Sequence, residues 1–182
     1  MIEILLYIIN GCIIIIKELR GVMMAKIKKT NAMRILDKNK VHYKVYHYET
    51  KDGKIDGTSV AEKMGQDPST VYKTLVTQGN SKEFYVFVIP VVEELDLKKA
   101  AIAAKEKRVE MIPVKNIFNS TGYIRGGCSP IGMKKLYKTY LDSGVNELTS
   151  IIISGGKIGT QIELSVTELQ KLINGQIKGL IK

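Results

Sequence analysis

The sequence is poor in the residues that most often carry catalysis and metal binding. It has two histidines, His42 and His47, and two cysteines, Cys12 and Cys128. The cysteines are far apart and show no CxxC or Cys/His spacing, so neither a disulfide framework nor a zinc site is indicated. Two histidines nearly exclude a histidine-based triad and a multi-histidine metal site. We therefore expect no metal, no cofactor and a reducing, cytoplasmic location.

Arginine is also scarce, although the chain is strongly basic. Lysine and arginine total 28 against 18 acidic residues, which gives a formal net charge of +10, and only four of the basic residues are arginine. Few arginines argue against reading of base edges, where bidentate arginine is the commonest specific contact. Two interpretations of the excess lysine stay open: contact with RNA phosphates, or a solvated surface without a polyanionic partner.

No apolar run is long enough to span a membrane. The longest, from Ile4 to Ile16, is interrupted by polar residues and falls short of the ~20 residues required. It lacks the basic start and the cleavage site of a signal peptide. A lysine-rich segment follows Met23 and Met24, so we expect translation to begin there. We thus separate an apolar extension, 1–23, from a domain, 24–182. A weak membrane-surface anchor is the alternative, but we expect no stable membrane partner.

The remaining chain mixes strand and helix signals in one domain-sized unit. Strand patterns occupy 41–48, 71–77, 83–89, 109–111, 137–141, 149–153 and 161–164. Helices are predicted after Thr30-Asn31, from a Ser59 capping box to Met64, after Asp96, after Pro113, and from a Ser165 capping box to Asn174-Gly175. The order is not a strict βαβ alternation. We therefore predict a single α+β domain with a mixed, curved, partly barrel-like sheet and flanking helices.

One lysine occupies an unusual position in this pattern. In the strand 71–77, Lys73 shares a face with Val71 and Leu75, because side chains alternate along a strand. One interpretation is a lysine whose stem packs flat while its ammonium reaches water. The other is a lysine at the floor of an anion-binding site. The sequence of this strand by itself favours the first interpretation, a packed stem with a solvated ammonium group.

Two glycine-rich loops carry basic residues. The segments 120–132 and 154–159 contain Arg125 and Lys157, and glycines let backbone N–H groups approach an anion closely. Neither segment is a phosphate-binding loop of the nucleotide-hydrolase type. Taken alone, each is more often a turn than a site. The side chains of Tyr48, Tyr72 and Tyr123 offer either stacking faces for a base or buried core packing.

Four blocks occur in a fixed order: Val71-Tyr72-Lys73-Thr74-Leu75; Leu95-Asp96-Leu97-Lys98-Lys99-Ala100; Ser120-Thr121-Gly122-Tyr123 with Gly126-Gly127-Cys128-Ser129-Pro130-Ile131-Gly132; and Ser154-Gly155-Gly156-Lys157 with Ile162-Glu163-Leu164. Together they resemble the YbaK/EbsC family of trans-editing aminoacyl-tRNA deacylases, over about residues 30 to 175. The nearest likeness is to the branch that removes cysteine from Cys-tRNA(Pro). Related branches, similar to the editing domain inserted in bacterial prolyl-tRNA synthetase, clear alanine or serine.

The resemblance implies a site around the 3′ end of a mischarged tRNA. Lys73 would bind and orient the terminal nucleotide, and the backbone N–H groups of Gly126 and Gly127 would face the aminoacyl ester. The other substrate-binding residues implied are Tyr48, Thr74, Tyr123, Ser154, Lys157 and Gln161, the last standing where a relative carries aspartate. The family also implies prolyl-tRNA synthetase as a partner.

The implied mechanism takes its nucleophile from the substrate. The cysteinyl thiol would attack its own ester carbonyl, close a thiolactone and release the tRNA, while the protein positions the ester and stabilises the oxyanion. Cys128 as a protein nucleophile stays open, although no base partner is evident. Two alternative functions also remain: clearance of alanine or serine by water attack, and a non-catalytic module that binds tRNA or a nucleotide.

Overall fold

The computed structural model describes residues 5–9, 12–16 and 29–182. The strands are β1 (Leu5–Ile9), β2 (Cys12–Ile16), β3 (Tyr43–His47), β4 (Tyr72–Gly79), β5 (Phe84–Pro90), β6 (Val109–Met111), β7 (Lys138–Asp142), β8 (Ser150–Lys157), β9 (Thr160–Ser165) and β10 (Gln176–Lys178). The α-helices are α1 (Asn31–Lys38), α2 (Gly57–Lys63), α3 (Leu97–Ala104), α4 (Val114–Thr121) and α5 (Val166–Ile173). Short 3-10 turns occupy Pro68–Thr70 and Ser143–Glu147.

The strands of the main domain form two sheets. A five-stranded sheet has the order β10-β7-β5-β4-β6, and a three-stranded antiparallel sheet has the order β3-β9-β8. The larger sheet is mixed, because β7 runs parallel to both β5 and β10 whereas β4 is antiparallel to its neighbours. A parallel bridge between Val71 and Ile152 joins the two sheets. The predicted α+β class and mixed sheet are confirmed, and the strands predicted at 71–77 and 83–89 pair as the antiparallel β4–β5 hairpin.

The main hydrophobic core lies between the two sheets and is closed by α1 and α5. Alternation along β8 turns Ile151 and Ile153 into this core, while Ile152 faces the other side. Their partners Ile162 and Leu164 on β9 do the same. Each fully buried aliphatic side chain stabilises the fold by about 1.5–3 kcal/mol. This burial fixes which face of each strand points outward, and the outward faces carry the candidate site.

Two helices cover the outward faces. The alanines of α3, Ala100, Ala101 and Ala104, pack on the outer side of β5 and β7. Helix α2 covers the line where the two sheets meet, and there Ala61 packs with Val71, Val91 and Ile152. Lys73 follows Val71 on the same side of β4, and therefore emerges beside α2.

Three local predictions were wrong. Helix α2 begins at Gly57 and not at Ser59, because the Asp56 carboxylate accepts a hydrogen bond from the Ser59 N–H (3.0 Å) and is itself the cap. Residues 154–157 belong to strand β8, with a bulge between Ser154 and Lys157, so only the reversal around Gly159 is a turn. Ser165 caps α5 by position, but its side chain makes no capping hydrogen bond.

The N-terminal prediction concerns a separate part of the chain. Strands β1 and β2 pair with each other in an antiparallel hairpin. The boundary at residues 23–24 lies outside the described residues and stays a prediction. Within the described ranges, no helix has the length and hydrophobicity needed to cross a membrane.

Candidate active site

Lys73 is held at the outer face of β4 by a backbone carbonyl. Its Nζ donates a hydrogen bond to the Val91 oxygen (3.1 Å), and the side chain is half-buried. Burial lowers the pKa of Lys73, and the nearby carboxylates of Glu94 and Glu93 oppose this shift. An ammonium group has three N–H donors, so two remain for a ligand. A partly desolvated cation of this kind favours an anionic or strongly polar ligand.

The strand pairing brings Ser154 and Gln161 to the same side as Lys73. A parallel β-bridge joins Val71 to Ile152. Lys73 and Ser154 each lie two residues after a bridged residue, so their side chains point to the same side of the sheet as those of Val71 and Ile152. Ser154 pairs directly with Gln161, and Gln161 with Tyr46 on β3. Lysine, serine and glutamine side chains from three strands thus point outward at the line where the sheets meet.

Gln161 carries an unusual unpaired acceptor. The residue is buried, and its Oε1 has no hydrogen-bond partner among the described residues. Leaving a buried polar group unpaired costs about 1–3 kcal/mol. Beside it, the Ser154 hydroxyl accepts from the Gly156 N–H (3.3 Å) within the β8 bulge and keeps its own proton to donate. The pair offers a hydroxyl donor and an amide acceptor to a bound molecule.

The loop containing Gly126 and Gly127 packs against the β8–β9 turn. A Cβ at Gly127 would lie 3.1 Å from the Ile158 nitrogen and 3.3 Å from the Lys157 Cα, so rigid backbone leaves no room for a side chain. Gly126 has φ +81°, and a Cβ there would lie 2.9 Å from Ile55 Cδ1. The loop, the turn and the segment preceding α2 therefore meet at one place.

The two glycine N–H groups are not equivalent. The Gly127 N–H donates to the Ile124 carbonyl (3.0 Å) in a turn within the loop. The Gly126 N–H has no partner in the part of the chain that the structure describes. In this conformation, Gly126 therefore supplies the available backbone donor, whereas Gly127 supplies the close packing that fixes the loop.

Tyr123 supports this loop from within the protein. It is buried, and its hydroxyl donates a 2.6 Å hydrogen bond to the Ile131 carbonyl. A Cβ on Gly156 would come within 2.9 Å of Tyr123 Cε1, so the ring fills the space that this glycine leaves. Burial raises the pKa of Tyr123. The placement favours a supporting role for Tyr123 over stacking on a base.

Tyr48 and Lys157 line a neighbouring cleft of about 330 Å³ together with Thr30, His47 and Gly159. Tyr48 is buried, its N–H donates to the Gly159 carbonyl (3.2 Å), and its hydroxyl has no partner among residues 29–182. Lys157 is exposed at the opening of the cleft. This cleft shares Lys157 and Ile158 with the β8–β9 turn on which the Gly126–Gly127 loop packs.

Thr74 does not join the other residues. Neighbouring residues of a strand point to opposite faces, so Thr74 faces the main core with Tyr72 and Val76 while Lys73 faces α2. Its hydroxyl is buried and unpaired within the described chain. The structure therefore separates the Thr74 side chain from the Lys73 ammonium by the thickness of the sheet.

Comparison with known proteins gives a consistent assignment. A family model described as the aminoacyl-tRNA editing domain matches residues 56–172. EbsC of Enterococcus faecalis (strain ATCC 700802 / V583), which carries the provisional name Cys-tRNA(Pro)/Cys-tRNA(Cys) deacylase, is 49% identical over 156 residues, covering 84% of this chain and 95% of EbsC. The chain belongs to the aminoacyl-tRNA editing domain family. The predicted resemblance is confirmed.

Solved structures share the fold of this editing domain. One, provisionally described as a trans-editing enzyme for prolyl-tRNA synthetase, superposes with a TM-score of 0.75 at 22% identity, covering 84% of this chain and 95% of that one. Another, a hypothetical protein, has a TM-score of 0.77 at 18% identity and covers 84% and 100% of the two chains. At these identities the likeness establishes the fold of the editing domain and nothing further.

Sequence reasoning missed two residues that shape the candidate site. The Val91 carbonyl anchors Lys73, and Gly57 lets α2 approach the Val91 side chain, since a Cβ at Gly57 would lie 2.3 Å from Val91 Cγ1. Both contacts link segments that are distant in sequence, and neither residue type signals them.

Cys128 is a poor candidate for a protein nucleophile in the editing domain. It packs against the main core, and burial raises the pKa of its thiol to about 11, although a contact with Thr121 acts in the opposite direction. The reactive form of cysteine is the thiolate. At neutral pH the Cys128 thiol therefore stays protonated.

Cys128→Ala is expected to retain deacylation within about two-fold of wild type, because no reacting group is removed. Deacylation rates for the two proteins provide the measurement, with thermal melting to account for the small loss of packing. A loss of activity comparable to that of Lys73→Ala, with the fold retained, would assign the nucleophile to Cys128 instead.

Proposed function

We propose that this chain is a trans-editing deacylase that removes cysteine from Cys-tRNA(Pro). The observation that carries the proposal is the 49% identity with EbsC, which covers 84% of the chain and 95% of EbsC. The local arrangement supports it: the half-buried Lys73 cation, the Ser154 hydroxyl and the unpaired Gln161 acceptor lie on one outward face. The Gly126 N–H, which has no partner among the described residues, belongs to the loop that packs on the adjacent β8–β9 turn.

The proposed roles follow from the chemistry of each group. The Lys73 ammonium binds and orients the terminal nucleotide through its phosphate or carbonyl region. Ser154 and Gln161 form hydrogen bonds with polar groups of the aminoacyl end, since a site that pairs a buried acceptor with a ligand donor discriminates strongly. The Gly126 N–H stabilises the oxyanion. Tyr48 and Lys157 bind the part of the nucleotide that occupies the adjacent cleft.

The substrate supplies the nucleophile in this proposal. The cysteinyl sulfur attacks the carbonyl carbon of its own ester, forming a C–S bond and a tetrahedral oxyanion. Collapse of the oxyanion breaks the ester C–O bond, and the thiol proton passes to the departing ribose oxygen. The products are free tRNA and a four-membered thiolactone, which water then opens to cysteine. Well-oriented intramolecular reactions reach effective molarities of about 10⁵–10⁸ M, and this advantage offsets the strain of the four-membered ring.

In this proposal the enzyme selects its substrate by the amino acid and not by the body of the tRNA. The name of EbsC gives both Cys-tRNA(Pro) and Cys-tRNA(Cys) as substrates. A site that reads only the aminoacyl end and the terminal nucleotide would act on both. We propose that prolyl-tRNA synthetase, acting with this enzyme in the cytoplasm, restricts the reaction to tRNA(Pro).

A panel of charged tRNAs tests this function. Wild-type protein is expected to release cysteine rapidly from Cys-tRNA(Pro) and to leave Ala-, Ser- and Pro-tRNA(Pro) close to their spontaneous rates, because only cysteine carries a thiol. Release of labelled amino acid measures each rate. The same panel with Cys-tRNA(Cys), with and without prolyl-tRNA synthetase, measures the tRNA preference. Preferential clearance of alanine or serine would indicate water attack, and no clearance of any ester would leave a binding module.

A further inference from the structure

Residues 111–141 carry charge of only one sign. This segment contains five basic residues and no aspartate or glutamate; they are Lys115, Arg125, Lys134, Lys135 and Lys138. All five are exposed, and within the described residues none takes part in an ion pair. Elsewhere basic residues such as Lys29 and Lys63 have acidic partners. The segment therefore presents a positive surface whose five charged side chains form no ion pair with the described residues.

Large apolar side chains are exposed among these charges. Val114 and Phe118 lie four residues apart on one side of α4, and Phe118 is 54% exposed. Ile124 is also exposed, and Leu136 is 80% exposed. Single exposed apolar residues are common on proteins, but four within one short segment mark an interaction surface.

Hydrogen bonds join these residues into one surface. The Lys134 N–H donates to the Thr121 carbonyl (3.1 Å), and the Tyr137 hydroxyl donates to the Ser120 carbonyl (2.8 Å). The Lys134 ammonium lies 5.1 Å from the centroid of the Phe118 ring. Segment 134–138 is therefore held against the C-terminal end of α4. We call residues 114–118, 124–125 and 134–138 together the α4 surface.

The α4 surface leads directly into the candidate site. Residues 122–126 connect the end of α4 to Gly126, and five residues span at most about 17 Å when fully extended. One strand of a double helix carries one phosphate per about 3.4 Å of helix axis. At most about five stacked nucleotides are therefore needed to cover the distance from α4 to the glycine loop.

We propose that the α4 surface binds the 3′ strand of the tRNA acceptor end while the aminoacyl group enters the Lys73 site. Lys115, Lys134 and Lys135 contact phosphates, and a base stacks on the exposed part of Phe118. The inference rests on the proposed function. Lysines interleaved with an aromatic ring are the usual means of binding single-stranded nucleic acid without reading sequence, whereas lysine is depleted in protein–protein interfaces.

The test measures binding of an uncharged, fluorescent acceptor-stem hairpin ending in the tRNA 3′ sequence. Phe118→Ala is expected to weaken binding at least about five-fold, as loss of base stacking does. The double variant Lys115→Ala/Lys135→Ala should lower the slope of log affinity against log salt by about 1.4, at ~0.7 per phosphate contact on a single strand. Ile102→Ala and Lys98→Ala on α3 are the matched controls, an exposed apolar residue and an exposed lysine, and should bind as wild type does.

Failure of the inference is distinguishable from failure of the function. The small ester 3′-cysteinyl-adenosine is too short to reach the α4 surface, and its turnover by wild type but not by Lys73→Ala tests the site alone. Unchanged RNA affinity in Phe118→Ala and in the lysine double variant would overturn the inference while that turnover stands. A loss seen only when prolyl-tRNA synthetase is present would also overturn it, in favour of a protein-docking surface. Phe118-dependent RNA binding without ester turnover would support the surface and refute the function.

Discussion

Lys73→Ala is expected to abolish release of cysteine from Cys-tRNA(Pro) while the chain stays folded. The substitution removes the cation that the Val91 carbonyl holds at the outer face of β4. Loss of a positioned electrostatic group in a site commonly reduces the rate by about 10²–10³-fold. Single-turnover deacylation provides the rate, and thermal melting provides the stability. Turnover near that of wild type would remove Lys73 from the centre of the site.

The stability of the variants gives an independent readout. Burial lowers the pKa of Lys73, so the charged form is less favourable in the folded chain than in the unfolded one. This cost is present at neutral pH and decreases as the pH rises through the folded-state pKa. Lys73→Met, which keeps the length of the stem, should therefore be at least as stable as wild type at neutral pH and still be inactive. Lys98→Ala on α3, an exposed lysine, should leave both rate and stability unchanged.

Blocking the thiol of the substrate is expected to have an effect of similar size. tRNA(Pro) charged with S-methylcysteine keeps the ester and the shape of the amino acid but cannot close a thiolactone. We expect its deacylation to be at least about 10³-fold slower than that of Cys-tRNA(Pro), because an intramolecular nucleophile of high effective molarity is lost. The two rates are compared at equal enzyme and tRNA concentrations.

The matched control for the blocked thiol is Ser-tRNA(Pro), which replaces sulfur by a much weaker nucleophile of similar position. It should be as slow as the methylated substrate. Equal rates for all three esters would assign the attack to water. In that case the Gly126 N–H and Lys73 would still be needed, but the selectivity for cysteine would have to arise from contacts with the side chain.

Much of the candidate site could be predicted from local patterns. The β-branched and aromatic residues of β4 and β5 identified the two strands, and alternation placed Lys73 on the same face as Val71 and Leu75, which the structure shows to be the outward face. Glycines with positive φ, such as Gly126, are recognisable because few other residues adopt that conformation. These features depend on neighbours in sequence, which a single chain displays directly.

The wrong local predictions arose where two sequence signals compete for the same element. The missed contacts are those between segments that lie far apart in the sequence. Asp56 and Ser59 are both good caps, and the acidic residue is used. Glycines at 155 and 156 suggested a loop, but β9 continues to pair with that segment across a bulge. The burial of Tyr123 and the anchoring of Lys73 by Val91 depend on segments that only the folded chain brings together.

The single parallel bridge between Val71 and Ile152 has a consequence for when activity appears during folding. Lys73 comes from the five-stranded sheet, whereas Ser154 and Gln161 come from the three-stranded one, about eighty residues later in the chain. Contacts of such high sequence separation form late, because closing long loops costs entropy before any contact compensates for it. Neither sheet alone contains the site. If Lys73, Ser154 and Gln161 form the editing centre as proposed, a partly folded chain lacks that centre, and deacylation begins only when the two sheets have joined.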